Sequence, residues 1–184
     1  MAEGDGGDRE VSDARAWLKD YKEKALCRAC KEGNLKLLIK EGYNIEERVE
    51  YVHHSVFRDT LSKCTPLIIA SSEGHVDIVR ELLRAGADIH NKDSVLGRTA
   101  LHYASNSGHI LVVQLLLDRG NPLNEPDDYD NQTPLILAAY FGHEEVASEL
   151  LQRGADIHVK SKKNGYTALN IACAKGHLKC AQLF

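Results

Sequence analysis

Apolar residues recur in doublets four positions apart: Ile78-Val79 with Leu82-Leu83, Val112-Val113 with Leu116-Leu117, and Val146-Ala147 with Leu150-Leu151. An i, i+1, i+4, i+5 spacing gathers four side chains on one face of a helix and leaves polar residues on the other. A second set precedes each of these: Leu67 and Ala70, Leu101 and Ala104, Leu135 and Ala138, with a further copy at Leu169 and Ala172. The alanine lets helices approach closely, so two packed helices per segment are predicted. Leu111 and Leu115 break the pattern, because Asp77 and Glu81 hold their places one segment earlier and Glu145 and Glu149 one segment later. They are expected on the outer face, as an apolar i, i+4 pair.

Punctuation repeats with the same period. Gly-His stands at Gly74-His75, Gly108-His109, Gly142-His143 and Gly176-His177, each 34 residues after the last. A threonine lies nine residues before each pair, at Thr65, Thr99, Thr133 and Thr167, and is followed by Pro66, Ala100, Pro134 or Ala168. Threonine before proline or alanine is a helix N-cap with a good first helical residue. The glycine ends that helix, where a left-handed backbone is inexpensive, and a second helix runs on to Gly86, Gly120 or Gly154. Helix, turn, helix and a loop thus make one unit. Units of this size cannot bury their own apolar faces and stack into a solenoid, so function is sought in the surface.

Thr99-Ala100-Leu101-His102, the four Gly-His pairs and Gly86-Ala87-Asp88-Ile89-His90 resemble the helix-start, helix-junction and exit motifs of ankyrin repeats. The likeness is close over residues 65–184 and looser over 26–64. It implies an all-α fold, an ankyrin-repeat solenoid of stacked helix-turn-helix units with β-hairpin-like finger loops. The family's usual period is about 33 residues, and the glycine-to-glycine interval here matches it, so each finger is expected to be slightly lengthened. An enlarged first finger followed by Thr65-Pro66-Leu67-Ile68-Ile69-Ala70 resembles, further, the ankyrin arrays of ubiquitin-ligase substrate receptors of the Fem type.

The ends depart from the repeat. Residues 1–11 are acidic and glycine-rich, without the basic and apolar regions of a signal peptide, and are expected to be disordered. Residues 12–64 are expected to hold a capping helix, started by Ser12 with Trp17, Leu18, Tyr21, Ala25 and Leu26 on one face, and a divergent first repeat. From Gly42 to Thr65 there are 23 residues against 13 between the equivalent positions elsewhere. The first finger thus gains ten, among them Val49, Tyr51, Val52, Val56, Phe57 and Leu61. Residues 65–184 carry the remaining repeats, and aligning Phe184 with Leu82 places the last residue inside a second helix. That unit is expected to be incomplete and the chain to belong to a longer protein.

Charge and composition narrow the function classes. With net charge −4 and 43% hydrophobic residues the chain has a core to bury and no bias toward nucleic acid. No apolar run is long enough to span a bilayer. Five cysteines, an odd number without a secretory leader, give no disulfide framework. Cys27-x-x-Cys30 has the form of half a zinc or redox site, but no second pair completes it, and packed, reduced thiols fit its helical spacing. Cys173 and Cys180 fall in the two helices of the last unit, where a small apolar side chain suits a core. Six of nine histidines are periodic, and His75, His109, His143 and His177 are expected to bond local loop backbone. His53-His54 lie outside the pattern without ligand partners at metal spacing.

The ankyrin resemblance implies a concave groove lined by finger tips and by the two residues before each Gly-His. Those pairs are Ser72-Glu73, Asn106-Ser107, Tyr140-Phe141 and Ala174-Lys175. Tyr140 and Phe141 are the expected anchors, since aromatic residues dominate interface energetics. Asn106, Val95 and Leu96, Tyr129, and Lys162, Lys163 and Tyr166 complete the candidate protein-binding set. Asp127, Asp128 and Asp130 neighbour the lysine finger, and opposite charges about 10 Å apart in water attract by only ~0.4 kcal/mol. They are expected to be a solvated, partly self-neutralised surface. The expectation is therefore a protein- or peptide-binding module, a scaffold or substrate receptor, not an enzyme, without cofactor or metal, monomeric, cytoplasmic and also compatible with the nucleus. The alternative is the regulatory ankyrin region of an enzyme or ion channel whose catalytic or pore part lies elsewhere.

Overall fold

The structure, a computed structural model, describes Ala29 and residues 44–53 and 60–184. The capping helix expected from Ser12, the Cys27 and Cys30 pair, the first helix junction around Gly33, His54, Val56 and Phe57 lie outside the described residues.

From residue 44 on, two strands come first, β1 (Val49–His53) and β2 (Thr60–Cys64), antiparallel with Val49 opposite Cys64 and Tyr51 opposite Ser62. They are the two sides of the enlarged first finger, and Val49 and Tyr51 bury against the core. Four helix pairs follow: α1 (Pro66–Glu73) and α2 (Val76–Arg84), α3 (Ala100–Ser107) and α4 (Ile110–Asp118), α5 (Pro134–Phe141) and α6 (Glu144–Gln152), α7 (Ala168–Lys175) and α8 (Leu178–Ala181). First helices pack on first helices and second on second, giving two rows.

The threonines cap as expected. Thr65, Thr133 and Thr167 each accept the backbone N–H three residues on, and Gly74, Gly108, Gly142 and Gly176 close their helices in the left-handed region. Ile78, Val79, Leu82 and Leu83, with Val112, Val113, Leu116, Val146, Ala147 and Leu150, are buried. Leu111 is 60% exposed, whereas Leu115 leans back onto the core, so the expected outer pair is half fulfilled.

Two residues of the last unit depart from their copies. Leu169 is 39% exposed and Cys173 is exposed as well, although Leu67, Leu101, Leu135, Ser71, Ser105 and Ala139 at the same places are buried. Among the described residues, the copies on α3 and α5 have a first helix on either side in the row, whereas α7 has α5 alone beside it. Cys180 does pack in the core, as expected.

Three of the periodic histidines bond the unit before them and not their local loops. His109, His143 and His177 each reach back 37 residues, Nε2 lying 2.9–3.0 Å from the backbone carbonyls of Ser72, Asn106 and Tyr140. Each ring stands against the helix-ending glycine of the unit before. A Cβ on Gly108 would sit 2.6 Å from His143 Nδ1, so this glycine serves close approach as well as its positive φ.

Candidate protein-binding groove

The fingers are built on buried polar bonds. Asp93 and Asp127, 34 residues apart, each close their own finger: Asp93 N–H donates to Arg98 O, and Asp127 N–H to Gln132 O. Their carboxylates gather the finger's amides, from Val95, Leu96 and Arg98 on Asp93 and from Asp130 and Gln132 on Asp127. Burial alone would raise Asp93, but bonds from Leu96, the Ser62 hydroxyl, Arg98 and Val95 outweigh it and hold the carboxyl below the usual carboxylate range. Each finger then turns on a left-handed residue, Gly97, Asn131 or Gly165.

Adjacent fingers are joined. Backbone bonds run from Ser94 to Lys63, from Asp128 to Leu96 and from Lys162 to Asp130, at 2.9–3.3 Å. Arg98 crosses from the second finger to the third, its Nε 2.9 Å from Asp127 Oδ2 and its Nη2 2.8 Å from Gln132 Oε1. Both partners of that ion pair are nearly inaccessible, with side-chain exposures of 5% and 0%. The expectation of a solvated acidic finger is therefore corrected. Asp127 and Asp130 are buried structural acids, because a carboxylate can satisfy several turn amides at once. Asp128 is the exposed one, and it pairs with Lys92 of the preceding finger.

His102, wholly buried beneath these fingers, accepts from Thr99 N–H at Nδ1 and donates from Nε2 to Gln132 O. Burial first, and then the nearby Arg98 guanidinium, push it from its ordinary 6.5 down to about 4. The folded state thus holds His102 neutral while the unfolded chain protonates it, so its contribution is complete above about pH 6.5 and is lost as pH falls toward about 4. The loss is expected to reach about 3 kcal/mol. Denaturant melts of the wild type and of His102→Gln across that range check this. The acid-induced drop should be smaller in the variant, and equal slopes would show that carboxylates alone set the pH dependence.

Above this framework the third and fourth fingers and helices α5 and α7 enclose a cavity of about 270 Å³. Tyr129, Tyr140, Lys163 and Tyr166 of the candidate set line it together. The structure adds Ile171 and Lys175, which sequence reasoning does not assign to the site, although Lys175 falls at a groove position. Lys163 Nζ lies 3.4 Å from the Tyr129 ring centre and Lys175 Nζ 4.1 Å from that of Tyr140. Asp130 contributes its carboxylate to the wall but spends it internally, on Lys163 N–H and Gln132 Nε2.

The other candidates are placed elsewhere. Phe141 packs edge-on to Tyr140, with centroids 5.0 Å apart, and stacks on His143 instead of lining the cavity. Asn106 offers its carbonyl to His143. Val95 is exposed and Leu96 half-buried on the second finger, one unit away, and Lys162 projects from the fourth finger into solvent. Among the described residues no cluster of histidine, cysteine and acidic side chains could hold a metal ion, and no helix is long and apolar enough to cross a membrane.

A family model for ankyrin repeats, in three copies, matches residues 7–93, 67–161 and 122–184. The chain belongs to the ankyrin-repeat family. No curated protein matches it. Ankyrin repeats are generally protein-interaction modules, and here the inter-finger bonds and histidine contacts join neighbouring units beside the buried apolar rows. Among the described residues the hairpin-like finger is a true two-stranded sheet only at β1 and β2. The later ankyrin fingers are closed turns.

Proposed function

We propose that this chain is a protein-interaction module, not an enzyme, that holds a protein or peptide segment in the groove between its first helices and its fingers. It would act as a scaffold or substrate-receptor part of a larger intracellular protein, in the cytoplasm or the nucleus. The supporting observation is the convergence of Tyr129, Tyr140 and Tyr166 on one cavity, with Tyr129 48% and Tyr166 43% exposed. Large aromatic side chains left accessible beside a buried polar framework are what interface anchors require. The cavity lies just under the roughly 300–1,000 Å³ of small-molecule sites and suits one or two side chains of a peptide.

Selecting a displayed peptide library on residues 1–184 and mapping bound peptides by amide chemical shifts tests this reading. The largest shifts are expected at Tyr140, Tyr166 and Lys175. Replacing Tyr140 with alanine should weaken the selected peptides by at least ~2 kcal/mol, whereas Leu111→Ala on the opposite row should leave them unchanged. Shifts centred on Leu111 would move the binding face to the second helices and sink the groove reading.

A further inference from the structure

The wall of the tyrosine cavity carries a charge opposite to that of the chain. Residues 157–184 hold five lysines, at 160, 162, 163, 175 and 179, and no acidic residue, within a protein of net charge −4. Two of these, Lys163 and Lys175, line the cavity itself. Among the described residues neither forms an ion pair, whereas Lys92 bonds Glu125 and Asp128, and Lys179 bonds Glu144. The one carboxylate in the wall, Asp130, is buried and already accepts two hydrogen bonds. Both ammonium groups are held over tyrosine rings, which fixes their positions before any ligand arrives and lowers the ordering cost of binding.

An ammonium resting on an aromatic face keeps its remaining donors for a partner, and a carboxylate is the acceptor that uses them best. The rings beside it, Tyr140 and Tyr166, with Ile171 in the floor, offer apolar surface to whatever carries that carboxylate. From this charge complementarity we infer that the cavity takes an acidic peptide segment, in which a glutamate or aspartate is set between Lys163 and Lys175 and a neighbouring apolar or aromatic side chain packs on Tyr140 and Tyr166. The inference rests on the groove reading above and names the occupant of its central cavity.

Three fluorescein-labelled octapeptides provide the test: Ser-Gly-Glu-Leu-Phe-Glu-Gly-Ser, the same sequence with glutamine at both glutamates, and the same with lysine there. Fluorescence anisotropy with the full chain is expected to rank the glutamate peptide about tenfold or more above the glutamine peptide, with the lysine peptide weakest. The gap should narrow as salt is raised. In K163E/K175E the order of the glutamate and lysine peptides should invert. Both lysines are exposed, so this variant is expected to melt like the wild type, and K160E/K162E, the same change in charge at two exposed lysines outside the cavity, serves as the matched charge control. Glutamine and glutamate peptides of equal affinity, or an unchanged order in K163E/K175E, overturn the inference. So does a phosphotyrosine peptide that binds more than about tenfold tighter than the glutamate peptide, which would assign the lysines to phosphate. If these probes fail while library-selected peptides still shift Tyr140 and Tyr166, the acidic assignment falls and the groove reading stands; selected peptides that shift only the opposite row remove both.

Discussion

Replacing Arg98 with alanine is expected to cost about 3–5 kcal/mol of folding stability, although Arg98 lies in a finger and not in the helical core. The guanidinium bonds Asp127 and Gln132 across two fingers where almost no water reaches. Removing it leaves the Asp127 carboxylate buried with its partner gone, and that uncompensated charge, more than the lost attraction, is the penalty. Thermal and urea melts of R98A, D127A and the double variant form a cycle that separates the two terms. The double variant should recover part of the loss. A cost below about 1 kcal/mol for R98A would mean that water enters between the fingers and solvates the pair as it would a surface one.

The second large effect lies in the helical rows. Leu116 is fully buried on α4, and its truncation to alanine is expected to destabilise by about 2–5 kcal/mol, through lost transfer energy and the cavity left behind. Leu111→Ala, on the same helix and 60% exposed, should change stability by less than about 0.5 kcal/mol. Equal losses at the two sites would contradict the helix phase that the packing of α4 on α2 and α6 requires.

That phase was readable from the apolar doublets, because a period near 3.6 separates a buried row from a wet one without any knowledge of the fold. The caps and turns were readable for the same reason, since Thr65 and Gly74 act on backbone within their own helix. The fingers were not. In sequence Asp127-Asp128-Tyr129-Asp130 is a hydrophilic run, and no local feature separates the acid that gathers turn amides from the one that meets solvent. The distinguishing signal was periodic: Asp93 and Asp127 recur 34 residues apart, each four residues before a left-handed Gly97 or Asn131. His109, His143 and His177 depart from the local bonding expected because their partners lie 37 residues back, beyond the reach of local reasoning. At the candidate site, the spacing of groove positions placed Tyr140. That Lys163 and Lys175 each settle on a tyrosine ring depends on how neighbouring fingers and helices stand together, which no single unit records.

The histidine contacts carry a further consequence. Their acceptors are the main-chain carbonyls of Ser72, Asn106 and Tyr140, three residues of different size and shape, at the positions that the proposed groove would use. Stacking therefore reads only the backbone there and is indifferent to what projects from it. On the proposed function, a mutation at one of these positions would alter the ligand preference of its unit without loosening the joint to the next, and a whole unit could be duplicated or exchanged with that residue intact. Such a chain can acquire new partners one position at a time while its architecture stays fixed.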